Sequence, residues 1–557
     1  MRWSVPQELM SILLFVCRIL VPLISATVVC RCFLSLKKGR RREEPVILLE
    51  NMETHKAIPV LYWENSIGRS RSCDIVLRDA TVSRAHSVLM RRESGWIITD
   101  TGSKSGTFVN GKKVREPRTV RPGDVIAMGS TALMLKRTVD SDKLRAKPYR
   151  PRRAARPAGL LGGVTAVQLL LLFQACFAGS KPDPASAVPL CALLVMEWGL
   201  YAYSIHGLGR VSFELETIAF LLSGIGIFLI AGTGVKNTYV QLAAMAAGII
   251  LFCGMIWFLG DLDRVMKWRV AIGVFAVLLF AANLLLAKER YGARNWISIG
   301  PVSVQPSEFI KIAFLFVGAS TLDRLQTAKN LTGFIGFSAV CMGALFLMKD
   351  FGTACVFFVA FLIIAFMRSG SFRTIALICA VAGFGAFLIL KFKPYVKERF
   401  SAWGHVWEHT GDTGYQQVRV LSYSATGGMF GVGLGRGFMK NVFAGDSDMV
   451  FGMLCEELGL LLALTAVFTI VLLVFYARSD VTRSRSTFYS ISACAAAGML
   501  LFQTGLNVFG ATDVLPLTGV TFPFISLGGS SMVSVWGMLG FLKASDERTY
   551  AARRKRT

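Results

Sequence analysis

The sequence predicts a polytopic α-helical membrane protein that carries one small all-β sandwich domain near its N-terminus. Three observations lead there. Hydrophobic residues make up 53% of the 557-residue chain and charged residues only 17%, a balance too apolar for a string of soluble domains. From Gly159 onward, long apolar runs recur at intervals suited to membrane helices. Between about Pro45 and Arg137 the pattern changes to short strand-like runs punctuated by Gly, Asp and Asn.

The first apolar stretch, Ser11 to Leu36, is interrupted by Arg18, lacks a small-residue cleavage site and leads into Lys37-Lys38-Gly39-Arg40-Arg41-Arg42. It reads as a retained anchor with a basic stop over residues 1–44. Residues 45–136 hold the runs Ile75-Val76-Leu77, Ser87-Val88-Leu89-Met90, Trp96-Ile97-Ile98 and Val125-Ile126-Ala127-Met128, the pattern of a sandwich. A linker over 137–158 follows, with seven Lys or Arg and two Pro between Lys143 and Arg156, so it is expected to be extended against lipid head groups. Twelve apolar runs then begin near residues 159, 188, 216, 238, 270, 306, 332, 352, 373, 450, 486 and 524. Each is long enough to cross about 30 Å of hydrocarbon at about 1.5 Å per residue. The first two occupy 159–215, the remaining ten 216–543, and a basic tail 544–557.

If the anchor leaves its basic end in the cytoplasm, the sandwich and the C-terminus are cytoplasmic. The basic loops Asp263 to Arg269, Arg368 to Arg373 and Arg478 to Arg485, with the tail Arg553-Arg554-Lys555-Arg556, then also fall inside. Two long loops, about 288–305 and 392–449, fall outside and are rich in Lys and Arg, which suits an anionic substrate. The chain's formal charge of +26 gathers beside apolar runs, a distribution that favours anionic lipids. Nucleic acid is excluded as a partner, because no helix-turn-helix, zinc-finger spacing or aromatic-rich basic sheet accompanies the charge. The 12 Cys are scattered without paired CxxC spacing, so they read as small core residues and not as zinc ligands.

In the β region, Gly68-Arg69, Ser83-Arg84-Ala85-His86 and Gly106-Thr107-Phe108-Val109-Asn110-Gly111 occur in that order on loops between predicted strands. The combination resembles the forkhead-associated (FHA) domain, a phosphothreonine reader. A phosphothreonine presents nearly two negative charges and three acceptor oxygens, so its pocket needs guanidinium and short hydroxyl donors. The resemblance implies that Arg69, Ser83 and Arg84 hold the phosphate, that Asn110 bonds the peptide backbone, and that His86 braces the loop. Ser105 stands where the common loop has Asn. The other reading of Arg69 and Arg84 is a solvated basic face near the membrane.

Four clusters in the membrane region fall on the expected outer side. Gln305-Pro306-Ser307-Glu308 opens a helix, with Pro suited to its first turn and a carboxylate to the positive end of its dipole. Glu308 and Lys311 share a face of that helix, either as functional charges or as a structural ion pair. Lys349 to Thr353 form the second cluster. The third runs from Gly414-Tyr415-Gln416 through the glycines of 427–435 and Asp448-Met449-Val450-Phe451 to Glu456-Glu457-Leu458-Gly459. Its glycines call for a loop that folds tightly or approaches a ligand closely. The fourth, Asn507 to Ser531, ends in Pro523 to Ser531, which place small residues at a helix start as an anion seat or a packing surface.

Arg294 with Trp296-Ile297, Gln305 to Glu308 with Lys311, Asp350-Phe351-Gly352-Thr353, Gly414-Tyr415-Gln416, Asp448 to Gly459 and Pro523 to Ser531 together resemble the SEDS family (shape, elongation, division and sporulation; FtsW/RodA/SpoVE-type). The resemblance covers about residues 216–543 and implies a ten-helix core, which leaves about three extra helices outside it. It implies polymerisation of lipid II, the undecaprenyl-linked disaccharide-pentapeptide, with release of undecaprenyl pyrophosphate outside the membrane. Asp448 matches the family's essential aspartate and would be the base. Glu308, Lys311 and Asp350 match residues of its central cavity, and Arg294 is a further candidate for the pyrophosphate. No cofactor is certain, and a divalent cation is left open. The Pro-Glu pair that often precedes the aspartate is replaced by Gly445-Asp446-Ser447, which makes Asp446 a second candidate, and Met348-Lys349-Asp350 lacks the usual Pro. For Asp448 the alternative is a helix-capping carboxylate. A class B penicillin-binding protein is the partner implied. Competing functions are a flippase for the lipid-linked precursor and a non-enzymatic phospho-signal receptor or scaffold of a wall-synthesis complex.

Overall fold

The computed structural model describes residues 7–38, 47–60, 64–70, 73–92, 95–137, 155–178, 187–208, 210, 212–290, 293–299, 302–321, 328–392, 403–480 and 486–546. The basic segments 39–46, 138–154 and 547–557 lie outside these residues, and with them most of the predicted linker.

Eleven short strands build the β domain: β1 (Ile47–Asn51), β2 (Ala57–Val60), β3 (Glu64–Gly68), β4 (Ile75–Val76), β5 (Ser87–Arg92), β6 (Gly95–Asp100), β7 (Thr107–Val109), β8 (Lys112–Lys113), β9 (Arg118–Val120), β10 (Val125–Met128) and β11 (Thr131–Arg137). They form a six-stranded sheet in the order β2-β1-β11-β10-β7-β8 and a five-stranded sheet in the order β4-β3-β5-β6-β9. Alternation along the strands turns Leu49, Ile67, Leu89, Ile98, Ile126, Leu133 and Leu135 into one fully buried core between the sheets. Asp79 ties two loops of this domain together, accepting from Thr81 at 2.6 Å and from Ser130 at 2.7 Å. Those bonds, Ser130's first, hold its carboxyl well below the usual carboxylate range.

The remainder is a helical bundle. Its helices are α1 (Gln7–Lys38), α2 (Pro157–Cys176), α3 (Ala187–Tyr201), α4 (Glu214–Ala231), α5 (Val235–Leu259), α6 (Leu262–Leu286), α7 (Pro306–Thr321), α8 (Ala328–Leu347), α9 (Phe351–Ser369), α10 (Phe372–Phe392), α11 (Tyr415–Gly427), α12 (Val450–Leu458), α13 (Leu460–Asp480), α14 (Thr487–Ala511) and α15 (Gly529–Ser545). Among the described residues nine are long and apolar enough to cross a membrane, and Gly333–Leu347 and Phe372–Gly385 are shorter apolar helices. The chain is a multi-pass membrane protein. Helix starts follow the expected runs closely, the largest departure being α6, which begins at Leu262 because Asp261 caps its first turn. The three helices α1, α2 and α3 lie beside the core, with α1 packed on α2, α4 and α13.

Two places depart from simple loops. Residues 288–304, expected as an outer loop, form a three-stranded antiparallel sheet of β12 (Lys288–Arg290), β13 (Ala293–Ile299) and β14 (Val302–Val304). The run expected to cross from residue 450 is instead the nine-residue α12 followed by the spanning helix α13; they part at Gly459, whose φ of +90° and close approach to Met429 O leave no room for a side chain.

The two parts of the molecule meet at one end of α14. Glu64, buried at the start of β3, accepts from Ser486 Oγ (2.5 Å), Thr487 N (3.0 Å) and Thr487 Oγ1 (2.8 Å), a carboxylate seated on the positive end of the helix. Twenty residues further along α14, Asn507 lies at the other end, about 30 Å away by helical rise.

Candidate functional site

At that far end the loops before α7, α9, α12 and α15 enclose a cavity of about 630 Å³. Its wall includes Asn295, Gln305, Lys349, Asp350, Gln416, Gln417, Asp448, Thr518 and Ser531. The loop carrying Asp448 is pinned from several sides. Asn507 Nδ2 donates to Asp448 O (2.9 Å) and to Val520 O (2.8 Å), Ser526 Oγ donates to Ser447 O (2.6 Å), and Gln416 Nε2 donates to Phe443 O (2.9 Å). Only the aspartate's main chain is used in these bonds. Met449 is the N-cap of α12 and no side chain caps that helix, so the Asp448 carboxylate is not a capping group. No ion pair to it occurs among the described residues, and a methyl group added at Gly519 would sit 3.3 Å from its Oδ2. Burial, reinforced by the charges of Asp350 and Asp446, pushes the Asp448 carboxyl up to about 6.

Asp350 faces the same cavity with its oxygens occupied. It caps α9 by accepting from Thr353 N (3.2 Å), and its Oδ2 accepts from Gln305 Nε2 (3.2 Å) and Asn295 Nδ2 (3.4 Å). Asp446, which sequence alone left as a rival to Asp448, is bonded to Thr233 and does not line the cavity.

Glu308 and Lys311 sit elsewhere than their expected place on the cavity wall: they are buried behind it. Lys311 Nζ is 2.7 Å from Glu308 Oε1 and donates to Gln503 Oε1 at 3.1 Å, while Ser534 Oγ donates to Glu308 Oε2 at 2.6 Å. Gln503 passes the network to Thr521 O (2.9 Å), and Thr521 Oγ1 meets Ser531 Oγ (2.8 Å) at the cavity surface. The pair therefore supports the wall and does not form it. Arg294 is not part of the cavity wall. Strand β13 turns its neighbours Ala293, Asn295 and Trp296 into the wall, and Arg294 stays on the exposed rim, 3.5 Å from Glu289. Lys349, which also meets Glu289 (3.3 Å), is the basic residue that does line the cavity.

The glycine cluster folds on its own helix. Glu456 accepts from Phe438 N and Met439 N, each at 2.8 Å, and Glu457 accepts from Gly435 N at 2.7 Å. Three backbone donors between Gly435 and Met439 are thus taken by the Glu456-Glu457 side chains. Reading the sequence assigned no role to Gln417, Thr518 or Asn507. Gln417 Oε1 and Thr518 Oγ1 are buried in the wall without a hydrogen-bond partner among the described residues. All three fall inside the third and fourth outer clusters of the sequence, which did not single them out. Among the described residues no three His, Cys, Asp or Glu come together as a metal-binding group, so the site does not fit a divalent cation held by protein carboxylates alone.

In the β domain, Arg69 N donates to Ser83 O and Ser70 N to Arg84 O, each at 3.0 Å, which lays the Arg69 turn beside the Ser83-Arg84 loop. The contact is close enough that a Cβ at Gly68 would strike Arg84 O. His86, fully buried, bridges Ser83 N (3.1 Å) and Gly106 O (3.1 Å) and so braces both loops. Lys104 N donates to Ser83 Oγ (3.0 Å), while Arg69 and Arg84 are exposed beside it. Asn110 corrects the sequence expectation. Its Nδ2 donates to Asp124 (2.8 Å) and its Oδ1 accepts from Val125 N (2.9 Å), with φ at +49°, so the amide is engaged in holding a turn of its own domain. Ser105 lies on the exposed loop with its Oγ donating to Thr81 O (3.0 Å).

The fold and cavity define a class: a multi-pass bundle with an acidic polar chamber at one end and a phosphopeptide-type sandwich at the other. Comparison with known proteins makes this particular. Residues 220–550 match the FtsW/RodA/SpoVE family, described as cell cycle proteins, and residues 65–129 match the FHA domain. The chain belongs to the FtsW/RodA/SpoVE family and carries an N-terminal FHA domain. It is 31% identical over 270 residues to a probable peptidoglycan glycosyltransferase FtsW of Buchnera aphidicola, covering 47% of this chain and 68% of that one. It is 26% identical over 359 residues to the peptidoglycan glycosyltransferase RodA of Mycobacterium tuberculosis, covering 59% and 76%. A chain of a solved peptidoglycan synthase complex shares the fold with a TM-score of 0.52 at 23% identity, covering 62% of this chain and 98% of that one.

Proposed function

We propose that this protein is a peptidoglycan glycosyltransferase that polymerises lipid II on the outer face of the membrane, under the control of a cytoplasmic phosphothreonine signal. The observation that carries the reading is Asp448: a carboxylate in a polar cavity, its main chain held rigidly, its side chain without a cation, and its proton affinity raised toward neutrality. A general base works best when its pKa lies near the working pH. Asp448 would take the proton of an acceptor sugar hydroxyl as that oxygen attacks the anomeric carbon of the second lipid II. The bond from this carbon to the diphosphate breaks, and undecaprenyl pyrophosphate leaves with the electron pair. Lys349 in the wall, with Arg294 at the rim, would receive its charge. Asp350, whose oxygens are already held, positions the wall beside the base.

The length of α14 supports the sidedness. A domain that reads phosphothreonine belongs where kinases act, in the cytoplasm, and Glu64 of that domain sits about 30 Å of helix from Asn507 and the cavity. The basic segments would then lie against anionic lipids of the inner leaflet. Likeness to a chain of a peptidoglycan synthase complex supports a class B penicillin-binding protein as partner. Purified protein supplied with that partner and lipid II should form glycan strands, and Asp448→Ala should not. Polymer made by a folded Asp448→Ala protein would overturn the assignment. For the β domain, a phosphothreonine peptide should bind and its unphosphorylated form should not, with Arg69→Ala losing the difference.

A further inference from the structure

Besides the Asp448 chamber, the structure holds a groove on the opposite half of the bundle, between α1 and α2. Two adjoining cavities of about 390 and 200 Å³ make it up, sharing Arg31, Gly159 and Leu160. Arg31 of α1 and Arg156, the residue that precedes α2, line the larger cavity, and no acidic residue lines either cavity among the described residues. The groove then narrows along Leu23, Ile24, Thr27 and Val28, eight residues or about 12 Å of helix from Leu23 to Arg31. Thr27 satisfies its hydroxyl within α1 by donating to Leu23 O (2.8 Å), so its methyl group adds to the apolar lining. The depth comes from α2, where a Cβ at Gly163 would lie 2.6 Å from Val28 and one at Gly159 would meet nothing within 4 Å. Ser35, at the mouth, is already committed to Glu214 (2.7 Å) and Ala155 N (3.1 Å), leaving the two guanidinium groups as the charged feature of the opening.

We propose that this groove binds one anionic phospholipid, Arg31 and Arg156 clasping its phosphate and the α1–α2 cleft taking an acyl chain. Charge complementarity selects the occupant. Two guanidinium forks converge on a phosphate better than on any zwitterionic or uncharged head group, and an apolar channel leading directly away from them fits the chain attached to that phosphate. A partner protein's apolar helix would leave both arginines facing hydrocarbon or an uncompensated interface. In the orientation proposed above the lipid belongs to the cytoplasmic leaflet, and it would staple the anchor helix to the bundle from outside the SEDS core.

The test is native mass spectrometry of the full chain from bilayers of equal phosphatidylglycerol and phosphatidylcholine, after a delipidating detergent wash. One phosphatidylglycerol should stay bound per chain. Arg31→Gln with Arg156→Gln should lower its occupancy at least tenfold. Gly159→Phe, whose Cβ meets nothing within 4 Å and whose ring would occupy the cleft, should remove it as well while the chain still melts at the wild-type temperature. Equal retention of phosphatidylcholine, undiminished phosphatidylglycerol in both variants, or a polypeptide found in the groove would overturn the proposal. None of these substitutions touches the Asp448 chamber, so lipid retention and glycan polymerisation fail or succeed independently of each other.

Discussion

Glu308 and Asp448 are both carboxylates near one end of the same bundle, and their surroundings treat them in opposite ways. Glu308 is 4% exposed, within 2.7 Å of a lysine and accepting from a serine, so its charge is balanced and its lone pairs are occupied. Asp448 opens on a cavity of about 630 Å³, has two other acids as its charged neighbours and gives up none of its side-chain capacity to the fold. A carboxylate that is already neutralised and bonded cannot easily take a further proton, whereas one raised toward neutrality by burial and like charge can. The difference separates an acid committed to the bundle's own contacts from the one proposed as the base.

The largest expected effect follows from that contrast. Asp448→Asn keeps the volume and removes the base, so lipid II polymerisation should fall by about 10²–10⁴-fold with the melting temperature unchanged. Lys311→Met should do the reverse. Leaving Glu308 buried without its cation costs about 3–5 kcal/mol, read as a drop in thermal stability, and Glu308→Gln added to Lys311→Met should recover much of it. If Lys311→Met melted like wild type but lost all activity, the division between structural and reactive acids would fail.

The pH dependence sharpens the same comparison. With Asp448 at about 6 and required in its ionised form, the polymerisation rate should fall roughly tenfold per pH unit below that value and level off above it. Asp350 is one of the charges that raises Asp448, so Asp350→Asn should move the acid limb to lower pH, even where it also loosens the α9 cap and lowers the maximum rate. An acid limb that did not move would mean that the two carboxylates do not sense each other.

Most of the architecture was legible because it rests on one-dimensional patterns. Apolar run length located the membrane helices, and ordered motifs located the FHA domain and the SEDS core. Less of the site was legible, because side-chain direction and partner are three-dimensional facts. The spacing of Glu308 and Lys311 correctly put them on one helix face, but nothing in the spacing says that Gln503 and Ser534 close over that face and shut it away from the cavity. Arg294 and Asn295 are adjacent in sequence, and only the register of β13 decides which of them enters the wall. Gln417 and Thr518 carry no charge and no motif, so an open hydrogen-bonding atom in a wall was the first sign of them.

The smallest expected effect carries the comparison into the FHA domain, where Asn110 and Arg84 stand in the roles of the satisfied and the open group. Both were candidates for ligand contact, yet the Asn110 amide is bonded at its two ends to Asp124 and Val125 N, while Arg84 is exposed beside the Arg69 turn. Asn110→Ala should therefore cost about 1–2 kcal/mol of stability through two lost hydrogen bonds and a strained positive φ. Its affinity for a phosphothreonine peptide, measured by titration calorimetry well below the melting temperature, should stay within a few-fold of wild type. Arg84→Ala should show the opposite pair of results, an unchanged melt and a lost preference for the phosphorylated peptide. A large affinity loss in Asn110→Ala at full stability would return that side chain to the peptide site and show that a satisfied amide can still be recruited by a ligand.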